Sequence, residues 1–227
     1  MNCSNCGAEL ISDSLFCQEC GLDLQEISLW PDKPWLYIWI KPRTTIRAIV
    51  DNDPEKYVLL LAALYGINNA LGEFSERYFG DSVGIIFVVF GAMVIGSIGG
   101  LIGLYLSGEI LRWSGSLLGG QASSSEVRSA IAWSSIPAVI ALLMWVPLLA
   151  FYGNEMFSLV APTIFDNPYP LLLVGLIEIV LSLWTIVMII LTLSEVHRFS
   201  IWRSIGAAAI PFFVIIIPLA GCLYLAG

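Results

Sequence analysis

Apolar and polar positions in this chain do not alternate; they fall into blocks. Apolar runs cover about residues 56–73, 83–107, 129–152, 171–193 and 205–226, each close to the ~20 residues that cross bilayer hydrocarbon as a helix. The pattern predicts an all-α membrane protein, with residues 54–227 forming a bundle of five transmembrane helices. Asp53-Pro54-Glu55 has the form of a helix start, with a capping Asp, Pro at the first helical position and an acid in the first turn. Ser123-Ser124-Ser125-Glu126 is a capping box that opens the third helix, which runs on through Pro137 and Pro147. Pro211 and Pro218 are positioned to bend the last helix.

One face of the second run is made of small residues: Ala92, Gly96, Gly99, Gly100, Gly103 and Ser107. Two overlapping Gly-x-x-x-Gly pairs, 96/100 and 99/103, allow close backbone approach where no hydrophobic force drives packing. A seam inside the bundle is the favoured use, and a contact between copies in a homo-oligomer is the other.

Composition agrees with the blocks. The chain is 58% hydrophobic and 12% charged, against about a quarter charged in soluble domains. No basic region followed by a short apolar stretch precedes the first run, so residues 1–32 are expected to stay in the cytoplasm, with the first span as the targeting signal. Net charge is −8, and its placement carries more information than its sum. Residues 1–32 hold Glu9, Asp13, Glu19, Asp23, Glu26 and Asp32 with no Lys or Arg, whereas Lys33, Lys41, Arg43, Arg47 and Lys56 crowd the next stretch. With five spans, these five cations fall on the same side as Arg112, Arg128, Arg198 and Arg203, and only Arg77 falls on the other. The positive-inside rule then places the N-terminus in the cytoplasm and the C-terminus opposite. Without the first span, the last four would lie on the wrong side.

Residues 26–53 read as an amphipathic, aromatic-basic neck. Trp30, Trp35, Tyr37 and Trp39 suit the headgroup level. After Pro42, Ile46, Ile49 and Val50 share one helical face, and Arg43 and Arg47 share another. The neck is expected to lie on the membrane surface and meet lipids through Trp35, Trp39, Lys41, Arg43 and Arg47. An ordinary connector is the alternative.

Residues 1–25 have a different chemistry. Cys3, Cys6, Cys17 and Cys20 form two Cys-x-x-Cys-Gly pairs with ten residues between them. Four thiolates at this spacing suit a closed tetrahedral site for structural Zn2+, a small zinc ribbon with no open coordination position for catalysis. So short a segment would draw its folding energy from the metal. A reducing cytoplasm disfavours disulfides, and a thioredoxin-type pair would need a surrounding βαβ pattern. The segment has no cation to meet phosphate, so nucleic acid is not an expected partner. A cytosolic or membrane protein, docked by the ribbon, is. Cys222 reads as a small buried hydrophobe.

Glu178 stands inside the fourth run with no basic residue three or four positions away. An ionisable group there marks a candidate site, with Asn68, Asn69 and Glu73 of the first helix as possible partners. A structural buried acid and an ion or proton site both fit. Glu109 and Arg112 suit a local ion pair. Glu195, His197 and Arg198 end the fourth helix, and His197 reads as an interfacial residue. No Gly-x-Ser-x-Gly, His-Glu-x-x-His or phosphate-loop motif is present, so an enzyme is not expected.

Three stretches carry a family resemblance: WLYIWIKPRTTIRAIVDNDP before the first span, LLGGQASSSEVRSAIAWSSIPAVI at the third, and LSEVHRFSIWRSI between the last two. Over about residues 30–225 the chain resembles the YIP1 family of five-span membrane proteins, in particular its prokaryotic branch with an added zinc ribbon. The resemblance implies a cytosolic N-terminus, a compact helical bundle and residence in a prokaryotic cytoplasmic membrane. Eukaryotic members are associated with small GTPases and with traffic between endoplasmic reticulum and Golgi. They carry an Asp-Leu-Tyr-Gly-Pro stretch where this chain reads DKPWLYIWIKP, so no expectation of Rab binding carries over. The chain is therefore expected to be a non-enzymatic membrane scaffold or adaptor. The alternative is ion or small-solute transport through the bundle, using Glu178 with Asn68 and Asn69.

Overall fold

The computed structural model describes residues 33–216, together with Glu9 and Glu19. The four-cysteine cluster, Cys222, Pro218 and the end of the fifth run lie outside the described residues. Two short helices open the described chain, α1 (Pro34–Ile40) and α2 (Pro42–Asn52), each with Pro at its start. Then follow α3 (Val58–Glu76), α4 (Ile85–Leu117), α5 (Ser124–Ser134), α6 (Ile136–Ala141), α7 (Trp145–Tyr152), α8 (Pro162–Asp166), α9 (Tyr169–Val196) and α10 (Ile201–Pro211).

Four helical stretches are long and apolar enough to cross a membrane: Val58–Glu76, Ile85–Leu117, Ile136–Phe157 and Tyr169–Val196. The protein is a multi-pass membrane protein, and residues 33–216 are helical with no strand among them. Of the fifth run, Ile201–Val214 is described as a shorter apolar helix. At Pro211, whose missing N–H breaks the regular ladder, α10 gives way to a π-helical stretch over Phe212–Ile216.

Two expected boundaries move. The first span does not begin at Asp53-Pro54. The Glu55 amide donates to the Asp53 carboxylate at 3.1 Å, and residues 54–57 form turns. Tyr57 then takes a left-handed conformation (φ 62°), and α3 starts at Val58. The third helix is also not continuous to Tyr152. The capping box forms as expected, with Glu126 N–H donating to Ser123 Oγ and Ser123 N–H to the Glu126 carboxylate. The helix it opens ends at Ser134, and the crossing stretch is rebuilt from α6, a 3-10 turn (Leu142–Met144) and α7. Pro137 and Pro147 sit in the first turns of α6 and α7, where a missing N–H costs least.

The longest helix, α4, has 33 residues and is about 50 Å long. That exceeds the ~30 Å of hydrocarbon, so its last turns, with Glu109 and Arg112, project beyond the membrane core. The core has two centres. One gathers Ile38, Ile46, Ile49, Val58, Trp133, Met188 and Leu193. The other gathers Leu71, Val88, Trp145, Leu148, Tyr152 and Phe157.

Candidate functional site

The expected small-residue seam divides its work. Gly66 of α3 faces Gly96 and Gly100 of α4 so closely that a Cβ on any of them would strike backbone. This contact anchors the most extensive helix pair in the fold. Gly99 and Gly103 have nothing where a Cβ would project. They line an apolar cavity of about 610 Å³.

A second, more polar cavity of about 380 Å³ brings together Asn68, Asn69, Glu73, Glu178, Trp145 and Ser182. The residues proposed from sequence as partners of Glu178 therefore do meet it across one space. Two of them are otherwise engaged: Trp145 Nε1 donates to Asn68 Oδ1 at 3.1 Å, and Arg77 pairs with Glu73 at 2.5 Å. Glu178 has no hydrogen-bond partner among the described residues. Asn69 and Glu73 line both cavities, so the polar and the apolar spaces adjoin.

The neck differs from its expected form. Ile46 and Ile49 are fully buried in the core between α9 and α5, so this face of α2 is turned into the protein. Nor are Arg43 and Arg47 free for lipid headgroups. Arg43 Nε donates to the Glu195 carboxylate at 2.9 Å, and Arg47 pairs with its other oxygen. Trp35 packs its ring on Trp133 at 4.9 Å and on Tyr57 at 5.3 Å. Trp39 is half-buried, and Lys41 is exposed.

His197, at the end of α9, is buried within the protein. It is 1% exposed, its ring stacked on Phe199 at 5.0 Å and fitted against Gly115 and Gly120, where any Cβ would collide with it. Neither ring nitrogen has a hydrogen-bond partner among the described residues. Burial holds its pKa below the ordinary imidazole range, and the Glu126 carboxylate works against that shift.

Arg128 was not singled out from sequence, yet it joins α5 and α4 to the turn that precedes α3. Its guanidinium donates to Glu55 at 2.7 Å, lies 3.9 Å from Glu109 and sits over the Tyr105 ring at 4.8 Å. Its stem crosses Gly108. Glu109 keeps the expected pair with Arg112 at 2.9 Å. Among the described residues, no group of three or more His, Cys, Asp or Glu is arranged to hold a metal ion.

Comparison with known proteins agrees with the helical architecture. A family model described as the Yip1 domain matches residues 36–222. No curated protein and no solved structure gives a match.

Proposed function

The chain belongs to the Yip1 domain family, and from that premise we propose that it is a non-enzymatic membrane scaffold whose cysteine-rich N-terminal segment docks a protein partner. In this reading Cys3, Cys6, Cys17 and Cys20 bind a structural Zn2+, and the acidic segment faces the cytoplasm of a prokaryotic cell. The C-terminus lies on the far side. The observation that supports it most is the grip of Glu195 on Arg43 and Arg47. That grip fixes α2 to the bundle, which gives the N-terminal segment a firm point of attachment. Crosslinking in mild detergent, followed by purification of the full chain, is expected to recover a specific partner. The partner is expected to be lost from the Cys17→Ser/Cys20→Ser variant, together with bound zinc. An unchanged set of partners in that variant removes the docking role.

One observation favours a second reading, transport. Glu178, Asn68 and Asn69 line a common polar cavity, as a cation or proton site requires. Liposome flux by the wild type, reduced in Glu178→Gln, is the result it needs.

A further inference from the structure

We infer that α1 is a docking surface for acidic phospholipid headgroups, built from Leu36, Tyr37, Ile40, Lys33 and Lys41 rather than from the face of α2 that the sequence pattern suggests. Pro34 and Ile38, one turn apart, are buried and seat α1 on the core. Leu36 and Ile40, also one turn apart, project from the opposite side of the helix and are 62% and 79% exposed. Tyr37 is exposed beside them. Such side chains on a span meet acyl chains, but α1 lies outside every candidate span.

Two observations identify the cover. The first is position. Trp35, in the same helix, stacks on Tyr57, the residue immediately before α3. The apolar patch therefore sits beside the start of the first candidate span, where aromatic side chains favour the headgroup level. The second is charge. Residues 33–50 contain Lys33, Lys41, Arg43 and Arg47 and no Asp or Glu. Glu195 engages the two arginines. The two lysines are exposed at either end of the patch, with no ion-pair partner among the described residues. An apolar centre flanked by two exposed lysines matches an acidic bilayer surface, where acyl chains receive the side chains and phosphates meet the ammonium groups.

The test uses the full chain with the photoreactive substitution Ile40→p-benzoylphenylalanine, in nanodiscs of equal phosphatidylcholine and phosphatidylglycerol, with adducts read by mass spectrometry. A second probe at Leu176, exposed in mid-α9, reports acyl contact without headgroup choice. The expected adduct at position 40 is lipid, enriched roughly fivefold in phosphatidylglycerol. Enrichment is lost in Lys33→Gln/Lys41→Gln and at high salt, while the Leu176 adduct is unchanged. Adducts to residues 1–32, to a second copy or to another protein overturn the inference. So does the absence of a lipid adduct at position 40 while Leu176 reacts, and so does a lipid adduct indifferent to headgroup.

Discussion

Arg47 and Glu195 are 148 residues apart in the chain and form an ion pair with very unequal surroundings. The carboxylate side chain is 6% exposed and the arginine 56%. This inequality predicts an asymmetric response to mutation. In Glu195→Gln the two arginines remain half-exposed and can turn to water, so the loss is about 1 kcal/mol, as for exposed pairs. In Arg43→Gln/Arg47→Gln the carboxylate stays buried without its partners. Breaking a pair in that direction costs about 3–5 kcal/mol when both groups are buried, and about 2–3 kcal/mol here after allowing for the open side. Chemical denaturation of the purified protein in detergent should rank the double arginine variant below Glu195→Gln. Equal losses would mean that Glu195 is better hydrated than its burial indicates.

His197 gives a pH signature. Its pKa is depressed by burial from an ordinary value of 6.5, so the folded chain binds fewer protons there than the unfolded chain. Stability then rises with pH through this window: it is fully present above about pH 6.5 and is lost as pH falls from there toward the lower folded value. Thermal unfolding between about pH 5.5 and 7.5 should show this slope in the wild type. In His197→Phe, which keeps a flat ring between Gly115 and Gly120, the slope should flatten. A slope that persists in the variant assigns the titration to another group.

Four of the five expected spans were legible because membrane crossing demands length and apolarity, and both are written locally. Val58–Glu76, although interrupted by Asn68 and Asn69, appears as a helix for that reason. The capping box at Ser123 was legible because its partners are three residues apart. The candidate partners of Glu178 were found because an isolated acid in an apolar run must be accommodated, and few polar residues were available. What escaped was long-range. An amphipathic helix looks the same whether its apolar face meets lipid or protein, so nothing near Ile46 and Ile49 announced α9. Nothing near His197 announced Gly115 and Gly120. Arg128 read as one more cytoplasmic cation until Glu55, Glu109 and Tyr105 converged on it.

Arg128 is predicted to hold α4, α5 and the turn before α3 together through geometry as well as charge. Its planar guanidinium serves Glu55 and Glu109 while lying over Tyr105. A lysine keeps the charge but loses this fork and the flat contact. Arg128→Lys should therefore recover less than half of the stability lost in Arg128→Gln, itself about 1–2 kcal/mol given its partly exposed partners. Denaturation midpoints of the three proteins in one detergent decide this. Full rescue by lysine would reduce the role to charge alone.

The glycines of α4 offer the sharpest contrast, because neighbours in one motif should behave oppositely. A methyl group at Gly100 would meet the Ala62 carbonyl and the Gly66 backbone, and one at Gly96 would meet Gly66 and Ile67. Backbone cannot rotate aside as a side chain does, so Gly96→Ala and Gly100→Ala must push α3 and α4 apart. Overpacking of this kind costs about 1–3 kcal/mol. Gly99 and Gly103 open into the apolar cavity and have room for a methyl. There alanine meets no clash and gains up to about 1 kcal/mol of helix propensity. Melting curves of the four single variants should place 96 and 100 below the wild type and 99 and 103 at or above it. Destabilisation at 99 and 103 of the same size as at 96 and 100 would mean that another helix, from this chain or a second copy, closes over that face in the membrane.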